Sequence, residues 1–253
     1  IRDQLCQTSD KQLRPGTRRL LVRIEQKRAA IQPAVARAAK RLRKSGSIKA
    51  IRRLADRLAE KLPPDGATIQ TPAVFDVARR RIGRRIAGLA EFGDCLSDPA
   101  QIQRHHAMRI EAKRLRYTME LFRPAYEGEM DAHLSAIKKL QDMLGDLHDR
   151  DVWLELLPGF LAAETRLAEK WYGKSSSPSS AKSIKRLQAG IEHFQAQRQQ
   201  ERERIFSVLG LFWGQIADEG LLGAVTVLTE TRFARAEAQA AEALRAAEEA
   251  RLA

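Results

Sequence analysis

The sequence predicts an all-α protein. Apolar residues recur at intervals of three and four along almost the whole chain, runs typical of strands are nearly absent, and aromatic residues make up only 6% of the 253 residues. Hydrophobic residues account for 43% and charged residues for 30%, which is typical of a globular protein with a highly charged surface. The length is sufficient to bury a core in one large domain or in two of ordinary size.

Four helices are predicted in the first half of the chain, where breaking residues separate the periodic runs. Pro33 is expected to kink or break the first helix, since proline removes a backbone hydrogen bond. The sequence Pro63-Pro64-Asp65-Gly66 should end the second helix, and a turn over 93–99 should precede the fourth. The predicted helices cover residues 17–44, 47–62, 72–90 and 100–123.

The second half predicts four further helices. Residues 173–180 consist of Gly, Lys, Ser and Pro, a composition typical of a flexible loop. Residues 231–253 are rich in Ala, Glu and Arg and have few large apolar side chains, so we expect a helical tail that projects from the body or docks on a partner. The predicted helices cover residues 130–149, 151–172, 181–213 and 217–250.

An internal repeat with an offset of 170 residues relates the first helix to the region after residue 190. Arg28 and Arg198 occupy the same place in the two apolar series. Either these long side chains reach solvent past their apolar neighbours, or the series lines a polar interior that holds an anion. The apolar members are Leu21, Ile24, Val35 and Leu42 in the first copy, and Ile191, Phe194, Ile205 and Phe212 in the second.

The net charge of +13 is distributed unevenly. Residues 1–123 hold 29 basic and 12 acidic side chains, a net charge of +17, whereas residues 124–253 hold 16 and 20, a net charge of −4. This asymmetry favours a local basic surface and a polyanionic partner.

Several protein classes are excluded by what the sequence lacks. Two cysteines, Cys6 and Cys95, exclude a disulfide scaffold and a cysteine-based zinc site. No apolar run approaches the about 18 residues of a membrane span, and the start does not have the pattern of a signal peptide. We therefore expect a cytoplasmic protein with no membrane partner.

The helix predicted over 100–123 carries an almost purely cationic polar face. At 100° per residue, His106, Arg109, Lys113 and Arg116 lie within an arc of roughly 80°. Like charges at these spacings repel one another, so the arrangement favours a bound anion along the helix. Glu120, one turn further on, could orient Arg116 or Lys113. The opposite face is apolar and consists of Met108, Ala112, Leu115, Met119 and Phe122.

The next predicted helix repeats this spacing, with Lys138, Gln141, Gly145 and His148 on one stripe. Glycine costs about 1 kcal/mol inside a helix relative to alanine. Gly145 therefore indicates a close approach of a ligand to the backbone, close helix packing or the end of the helix. The apolar face of this helix consists of Leu134, Ile137, Leu140, Leu144 and Leu147.

These two stripes resemble the motifs of the conserved histidine α-helical domain, the CHAD family. The matching residues are the run from His106 and Arg109 through Lys113-Arg114-Leu115-Arg116-Tyr117 to Glu120 and Phe122, followed by Leu140-Gln141, Leu144-Gly145 and His148-Asp149. The resemblance extends over roughly 1–230. It implies two similar bundles of up-and-down helices around a basic central cavity, and a module that binds inorganic polyphosphate without a catalytic centre.

The resemblance also implies a domain organisation. We expect one CHAD-like domain over 1–230 with halves 1–92 and 98–230, followed by the tail 231–253. Family members carry a first copy of the histidine helix and its turn in the N-terminal half. Here Ile1-Arg2-Asp3 resembles the end of that turn, so we expect the N-terminal bundle to be incomplete and the chain to be a fragment.

Polyphosphate carries about one charge per phosphate and has no bases, so it requires a track of basic side chains. Arginine binds phosphate oxygens through two parallel hydrogen bonds and lysine acts as a mobile charge. Histidine is protonated more readily beside bound phosphate. The predicted polyphosphate contacts are His106, Arg109, Lys113, Arg116, Lys138, Arg198, Arg202 and, as the repeat partner of Arg198, Arg28.

Two other functions remain as alternatives. A basic helical protein can grip nucleic-acid phosphates, but recognition motifs and interleaved aromatics are missing, so we expect nucleic acid only as a non-specific competitor. Asp146, His148, Asp149 and Asp151 could hold a metal for phosphate hydrolysis, but the sequence shows no convincing further ligands. We therefore predict a non-enzymatic protein without cofactor or metal, cytoplasmic and associated with polyphosphate granules.

Overall fold

The computed structural model describes residues 13–60, 69–172 and 178–252, and every structural statement below concerns these residues. They form seven α-helices and no strand, which confirms the predicted all-α class. Two short 3-10 helices, Gly93–Ser97 and Arg123–Tyr126, lie before and after the fourth α-helix. The α-helices are α1 (Arg14–Lys44), α2 (Ser47–Ala59), α3 (Pro72–Ala90), α4 (Ile102–Phe122), α5 (Asp131–Tyr172), α6 (Pro178–Asp218) and α7 (Leu221–Leu252).

Two predicted helix breaks are absent. Helix α1 continues through Pro33, where a kink or break was predicted. Helix α5 is a single helix of 42 residues, where two helices over 130–149 and 151–172 were predicted, and it continues through Pro158 as the second of them did. Both prolines are exposed, so water can satisfy the carbonyl group that each one deprives of its hydrogen bond. Between 149 and 151 the sequence Asp-Arg-Asp contains no helix breaker.

Other boundaries agree with the local sequence. Thr71 caps α3, since its hydroxyl accepts a hydrogen bond from the Val74 N–H at 3.3 Å, and Pro72 occupies the first turn. Helix α6 begins at Pro178, inside the segment predicted as a loop. Gly220, with φ of +61°, separates α6 from α7 in the left-handed conformation that glycine adopts at helix ends. The predicted breaker at 63–66 lies outside the described residues.

The chain divides into two compact units, which are described separately. Unit 1 comprises 1–67 and 153–199, and unit 2 comprises 68–152 and 200–253. Each unit contains residues from both of the predicted halves, 1–92 and 98–230. The division into these halves remains a prediction. The predicted pseudo-repeat is not confirmed. Val35 and Leu42 of its first copy are exposed, whereas Ile205 and Phe212 of its second are half-buried.

Unit 1 has a small core in which α1, α5 and α6 meet. Gly16 and Gly190 bring the backbones of α1 and α6 into contact, because a Cβ atom at Gly16 would lie 2.4 Å from the Leu187 carbonyl oxygen and one at Gly190 would lie 2.2 Å from that of Leu13. The buried apolar residues of this core are Leu20, Leu157, Ile191 and Phe194.

Beyond this core, α1 from residue 25 onward and the whole described part of α2 are exposed. The side chains of Ile31, Val35 and Leu42 on α1 are 55–60% exposed, and Ile51 on α2 is 68% exposed. These helices are amphipathic, but their apolar faces do not pack against other described residues.

Unit 2 has the larger core, built from α3, α4, the first part of α5, the end of α6 and α7. The apolar faces predicted for α4 and α5 are buried here, which fixes the orientation of both helices about their own axes. The core includes Ile82 and Leu89 of α3, Met108, Leu115 and Met119 of α4, Ile137, Leu140, Leu144 and Leu147 of α5, Leu209 of α6 and Val225 of α7.

The tail is helical, and its residues from Glu237 onward are exposed. Among the described residues, no single helix has both the length and the apolar composition needed to cross a membrane. One bent pair, Ala181–Asp218 with Leu221–Leu252, meets those criteria only when its two helices are taken together.

Candidate anion-binding site

The polar stripes of α4 and α5 meet in unit 2. Because the apolar faces of both helices are buried in the same core, their polar stripes lie side by side at its edge. The rings of His106 on α4 and His148 on α5 lie with their centroids 4.4 Å apart and their planes inclined by 42°. We call this surface the α4–α5 track; its members are His106, Arg109, Lys113 and Arg116 on α4, and Lys138, Gln141, Gly145 and His148 on α5.

Arg109 lies against α5 at Gly145. A Cβ atom added at Gly145 would lie 3.6 Å from Arg109 Nε, an ordinary van der Waals contact. The helix continues far beyond this glycine, so the expectation that Gly145 marks a helix end was wrong. The glycine instead leaves the backbone of α5 open beside the guanidinium group of Arg109.

Arg116 is the most firmly held cation of the track. Its Nε donates a hydrogen bond of 2.8 Å to Gln141 Oε1, and its Nη1 donates one of 2.8 Å to Glu120 Oε1. The guanidinium carbon also lies 4.4 Å from the ring centroid of Tyr117. Glu120 therefore orients Arg116. The sequence had proposed either Arg116 or Lys113 as the partner of Glu120.

The electrostatic environment lowers the pKa of His106 below its ordinary value. Burial of the ring is the largest cause, followed by the charges of His148, Arg109 and Lys113. These groups disfavour a proton on His106 while the track has no anion. A bound phosphate would act in the opposite direction, because a nearby negative charge favours the imidazolium form.

Two polar atoms of the track are buried without a hydrogen-bond partner. They are His106 Nδ1 and Arg109 Nε. Buried polar groups in folded proteins nearly always have a partner, either a protein group or water. Both side chains are half-buried as a whole, so an oxyanion could contact them only at their exposed parts.

Lys113 and Lys138 complete the positive charge of the track. Lys113 is half-buried, and Lys138 is exposed one turn before Gln141 on α5. Neither lysine forms an ion pair within the part of the chain that the structure describes. Glu120 is thus the one carboxylate that pairs with a cation of the track among the described residues.

The structure places Arg202 differently from the prediction. Arg202 is only 5% exposed. Its Nε lies 2.5 Å from Asp151 Oδ1, and its Nη2 donates a 2.8 Å hydrogen bond to the Pro99 carbonyl oxygen. Buried pairs of this kind join helices rather than present charge to a ligand. We therefore leave Arg202 out of the proposed ligand set.

The remaining two predicted contacts belong to unit 1. Arg198 is 5% exposed, with its guanidinium carbon 4.8 Å from the ring centroid of Phe194. Arg28 is exposed on α1. The two predicted repeat partners therefore differ in burial, and their contact with polyphosphate remains a prediction.

His148 was named in the sequence motif but was absent from the predicted contacts. The structure places the His148 ring beside that of His106. His148 lies one turn beyond Gly145 on the same stripe of α5, and this position could have predicted it as a contact. His105, which precedes His106 on α4, has a different role. It is buried, and its Nε2 lies 2.8 Å from the Cys95 carbonyl oxygen. Adjacent histidines on one helix thus serve the core and the surface.

Two of the acidic residues considered for metal binding pair with different arginines. Asp151 pairs with Arg202, and Asp146 lies 3.5 Å from Arg150. Within the described residues, no group of three or more His, Cys, Asp or Glu side chains has an arrangement that could hold a metal ion.

A family model named CHAD domain matches residues 2–158, which is more than half of the chain. The chain belongs to the CHAD domain family. The matched range contains α3, α4 and the part of α5 that carries the track, whereas Arg198 and Arg202 lie beyond its end. The resemblance had been expected to extend to about residue 230. No curated protein and no solved structure matches the chain.

The CHAD domain is generally a binding module and is associated with polyphosphate.

Proposed function

We propose that this CHAD domain binds inorganic polyphosphate along the α4–α5 track. The observation that carries the proposal is the convergence of His106, Arg109 and His148 from two helices. A row of oxyanions spaced along one chain matches a row of cations spaced along one helix.

Each part of the track has a distinct role in this proposal. Arg109 and Arg116 bind phosphate oxygens through their planar guanidinium groups, and Arg116 is held in place by Gln141 and Glu120. Lys113 and Lys138 add mobile charge. His106 lies beside His148 at one end of the track and contributes charge when it is protonated.

The chemistry of the track favours a binding role over hydrolysis. Its side chains are cations and amides that contact phosphate oxygens, and the carboxylate nearest to them, Glu120, pairs with Arg116. We propose that the protein is cytoplasmic and associates with polyphosphate granules, where long chains are concentrated. Arg28 and Arg198 of unit 1 stay as further proposed contacts.

Calorimetric titration with long-chain polyphosphate tests the proposal. Arg109→Ala and Lys113→Ala should each weaken binding by about tenfold or more, because a charge-assisted hydrogen bond contributes roughly 1.5–3 kcal/mol. Arg114→Ala is the matched control: Arg114 belongs to the same helix but is exposed and pairs with Glu111, away from the track. Binding by both variants equal to that of the parent would exclude this site.

Salt and a competitor separate polyphosphate from other polyanions. Affinity should fall steeply as salt rises, because binding releases counterions. Duplex DNA should compete poorly at equal phosphate concentration. If DNA displaced polyphosphate under these conditions, a general phosphate-binding surface would replace the proposed specific one.

A further inference from the structure

Helix α3 carries a second cationic surface in unit 2. Arg80, Arg81 and Arg84 lie together with Val77 around a shallow cavity of about 260 Å³. These four residues are exposed, and we call them the α3 outer face. Arg84 is turned by about 160° from Ile82 around the helix axis, and Ile82 is fully buried in the core. The cationic side of α3 is thus opposite to its packed side.

Two of these arginines have no counter-charge among the described residues. Arg80 pairs with Asp76, and the flanking Arg79 and Arg85 contact carboxylates of α7 and α4. Arg81 and Arg84 make no ion pair with any residue that the structure describes. Cations one turn apart repel each other on an exposed helix, and a bound anion would relieve that repulsion.

The α3 outer face is separate from the α4–α5 track. On α4, Glu111 faces α3: a Cβ atom added at Gly88 would lie 3.3 Å from Glu111 Oε2, and Arg85 lies 3.8 Å from the same oxygen. Glu111 is about 160° around the α4 axis from both Arg109 and Lys113, which face α5. Helix α4 and its carboxylate therefore stand between the two cationic surfaces.

We propose that the α3 outer face binds a second segment of polyphosphate, so that one protein molecule joins two chains or two distant parts of one chain. This inference rests on the proposed function of the α4–α5 track. The lining of the α3 outer face consists of three arginines and a valine, which offers guanidinium groups for phosphate oxygens and no aromatic ring on which a base could stack. These features favour polyphosphate over nucleic acid.

Two binding faces on one rigid unit confer a further activity, the cross-linking of polyphosphate chains. A molecule with one face only coats a chain. A molecule with two separate faces holds two segments at a high local concentration, and several such molecules gather long chains into a network. Cross-linking of this kind would help to condense polyphosphate.

A two-chain capture assay tests this inference on the full chain. Polyphosphate attached to beads captures the protein, unbound material is washed away, and a second, fluorescent polyphosphate is added. The parent should retain the fluorescent chain. Arg81→Ala/Arg84→Ala should be captured by the beads as well as the parent is, but should retain about tenfold less of the fluorescent chain, since two charge-assisted contacts are removed from the second face only.

A control variant tests whether net charge alone explains the loss. Arg204→Ala/Arg235→Ala removes two exposed arginines from α6 and α7 of the same unit and should retain the second chain like the parent. A second variant, Arg81→Lys/Arg84→Lys, keeps the charge and should retain part of the signal. Circular dichroism checks that all variants keep the helical content of the parent.

The outcomes separate the two proposals. If the parent is not captured by the beads, or if Arg109→Ala is captured normally when it is combined with Arg81→Ala/Arg84→Ala, the proposed track fails. If capture is normal and Arg81→Ala/Arg84→Ala retains the second chain like the parent, the α3 outer face is not a binding face. If that variant loses capture and retention equally, α3 and the track form one continuous site and the two-face inference is overturned.

Discussion

Helix α4 and the distal part of α1 are both amphipathic and rich in arginine, but they differ in what their apolar faces contact. The apolar residues of α4 are fully buried, with Met108, Leu115 and Met119 at 0% exposure. Those of α1 beyond residue 25 are exposed, with Val35 at 55%. Burial of one face holds the cations of α4 at fixed positions beside α5, whereas the cations of distal α1 have no such support within the described residues.

The comparison shows how the proposed binding site differs from a helix that is only basic. Positive charge attracts a polyanion in both regions. In α4 the packed core, the Gln141 amide and the backbone at Gly145 also fix where the charges stand, so less conformational entropy is lost on binding. Substitutions at buried and at exposed positions test the role of packing, from the largest expected effect to the smallest.

Arg202→Ala should destabilise the protein most, by about 3–5 kcal/mol, because it leaves the Asp151 carboxylate buried without its partner. Asp151 and Arg202 are 7% and 5% exposed. Urea denaturation followed by circular dichroism measures the free energy of unfolding. Arg204→Ala, an exposed neighbour, is the control and should change it by less than about 0.5 kcal/mol. A small effect of Arg202→Ala would mean that this pair is not the buried link described above.

Leu115→Ala and Leu42→Ala compare the two helices directly. Leu115 is fully buried, so its truncation should cost about 2–5 kcal/mol of unfolding free energy. Leu42 is 56% exposed, and its truncation should cost less than about 0.5 kcal/mol. The same urea titration measures both. An equal cost at the two positions would show that distal α1 is packed against a surface as α4 is.

Arg28→Ala and Arg109→Ala compare the cations themselves. Arg109 lies half-buried against α5, so its loss should weaken polyphosphate binding by about tenfold. Arg28 is an exposed predicted contact without a fixed position, so its loss should weaken binding by about threefold at low salt. Calorimetry at low and moderate salt measures both, and the Arg28 effect should vanish first as salt rises. A larger effect at Arg28 would move the main site to unit 1.

The His106 ring gives the smallest effect, a dependence on pH. The pKa of His106 is lowered in the free protein by burial and by His148, Arg109 and Lys113. A bound polyanion raises that pKa, so binding takes up protons, and affinity should increase as the pH falls through the range between the free and bound pKa values. Calorimetry in two buffers of different ionisation enthalpy measures the proton uptake. His106→Gln should reduce it, and an unchanged uptake would assign the protons to other groups.

The same shift has the opposite sign for the stability of the free protein. A histidine with a lowered pKa in the folded state binds protons more readily when unfolded, so the free protein loses stability as the pH falls below the ordinary histidine value of about 6.5. Polyphosphate should offset that loss. Thermal unfolding with and without polyphosphate across this pH range checks both signs.

Much of the fold and part of the site could be predicted from local sequence. Helical spacing predicted the all-α class, the apolar faces of α4 and α5, and the cationic stripes with Glu120 as a partner of Arg116 or Lys113. The continuity of α1 at Pro33 could not be predicted, since the cost of a proline depends on whether water reaches the freed carbonyl group. The pairing of His106 with His148 required two helices to pack in one register.

The sequence by itself determined which side chains share a helix face, because that depends on the 100° rotation per residue alone. Only the tertiary structure decided which arginines are available to a ligand. The sequence alone proposed both Arg109 and Arg202 as ligand contacts. Arg202 pairs with Asp151 and donates a hydrogen bond to the Pro99 carbonyl group, and both partners are distant in the chain. Arg109 instead lies beside the backbone of α5 at Gly145. Charge comes from composition, and its availability comes from packing between residues far apart in the chain.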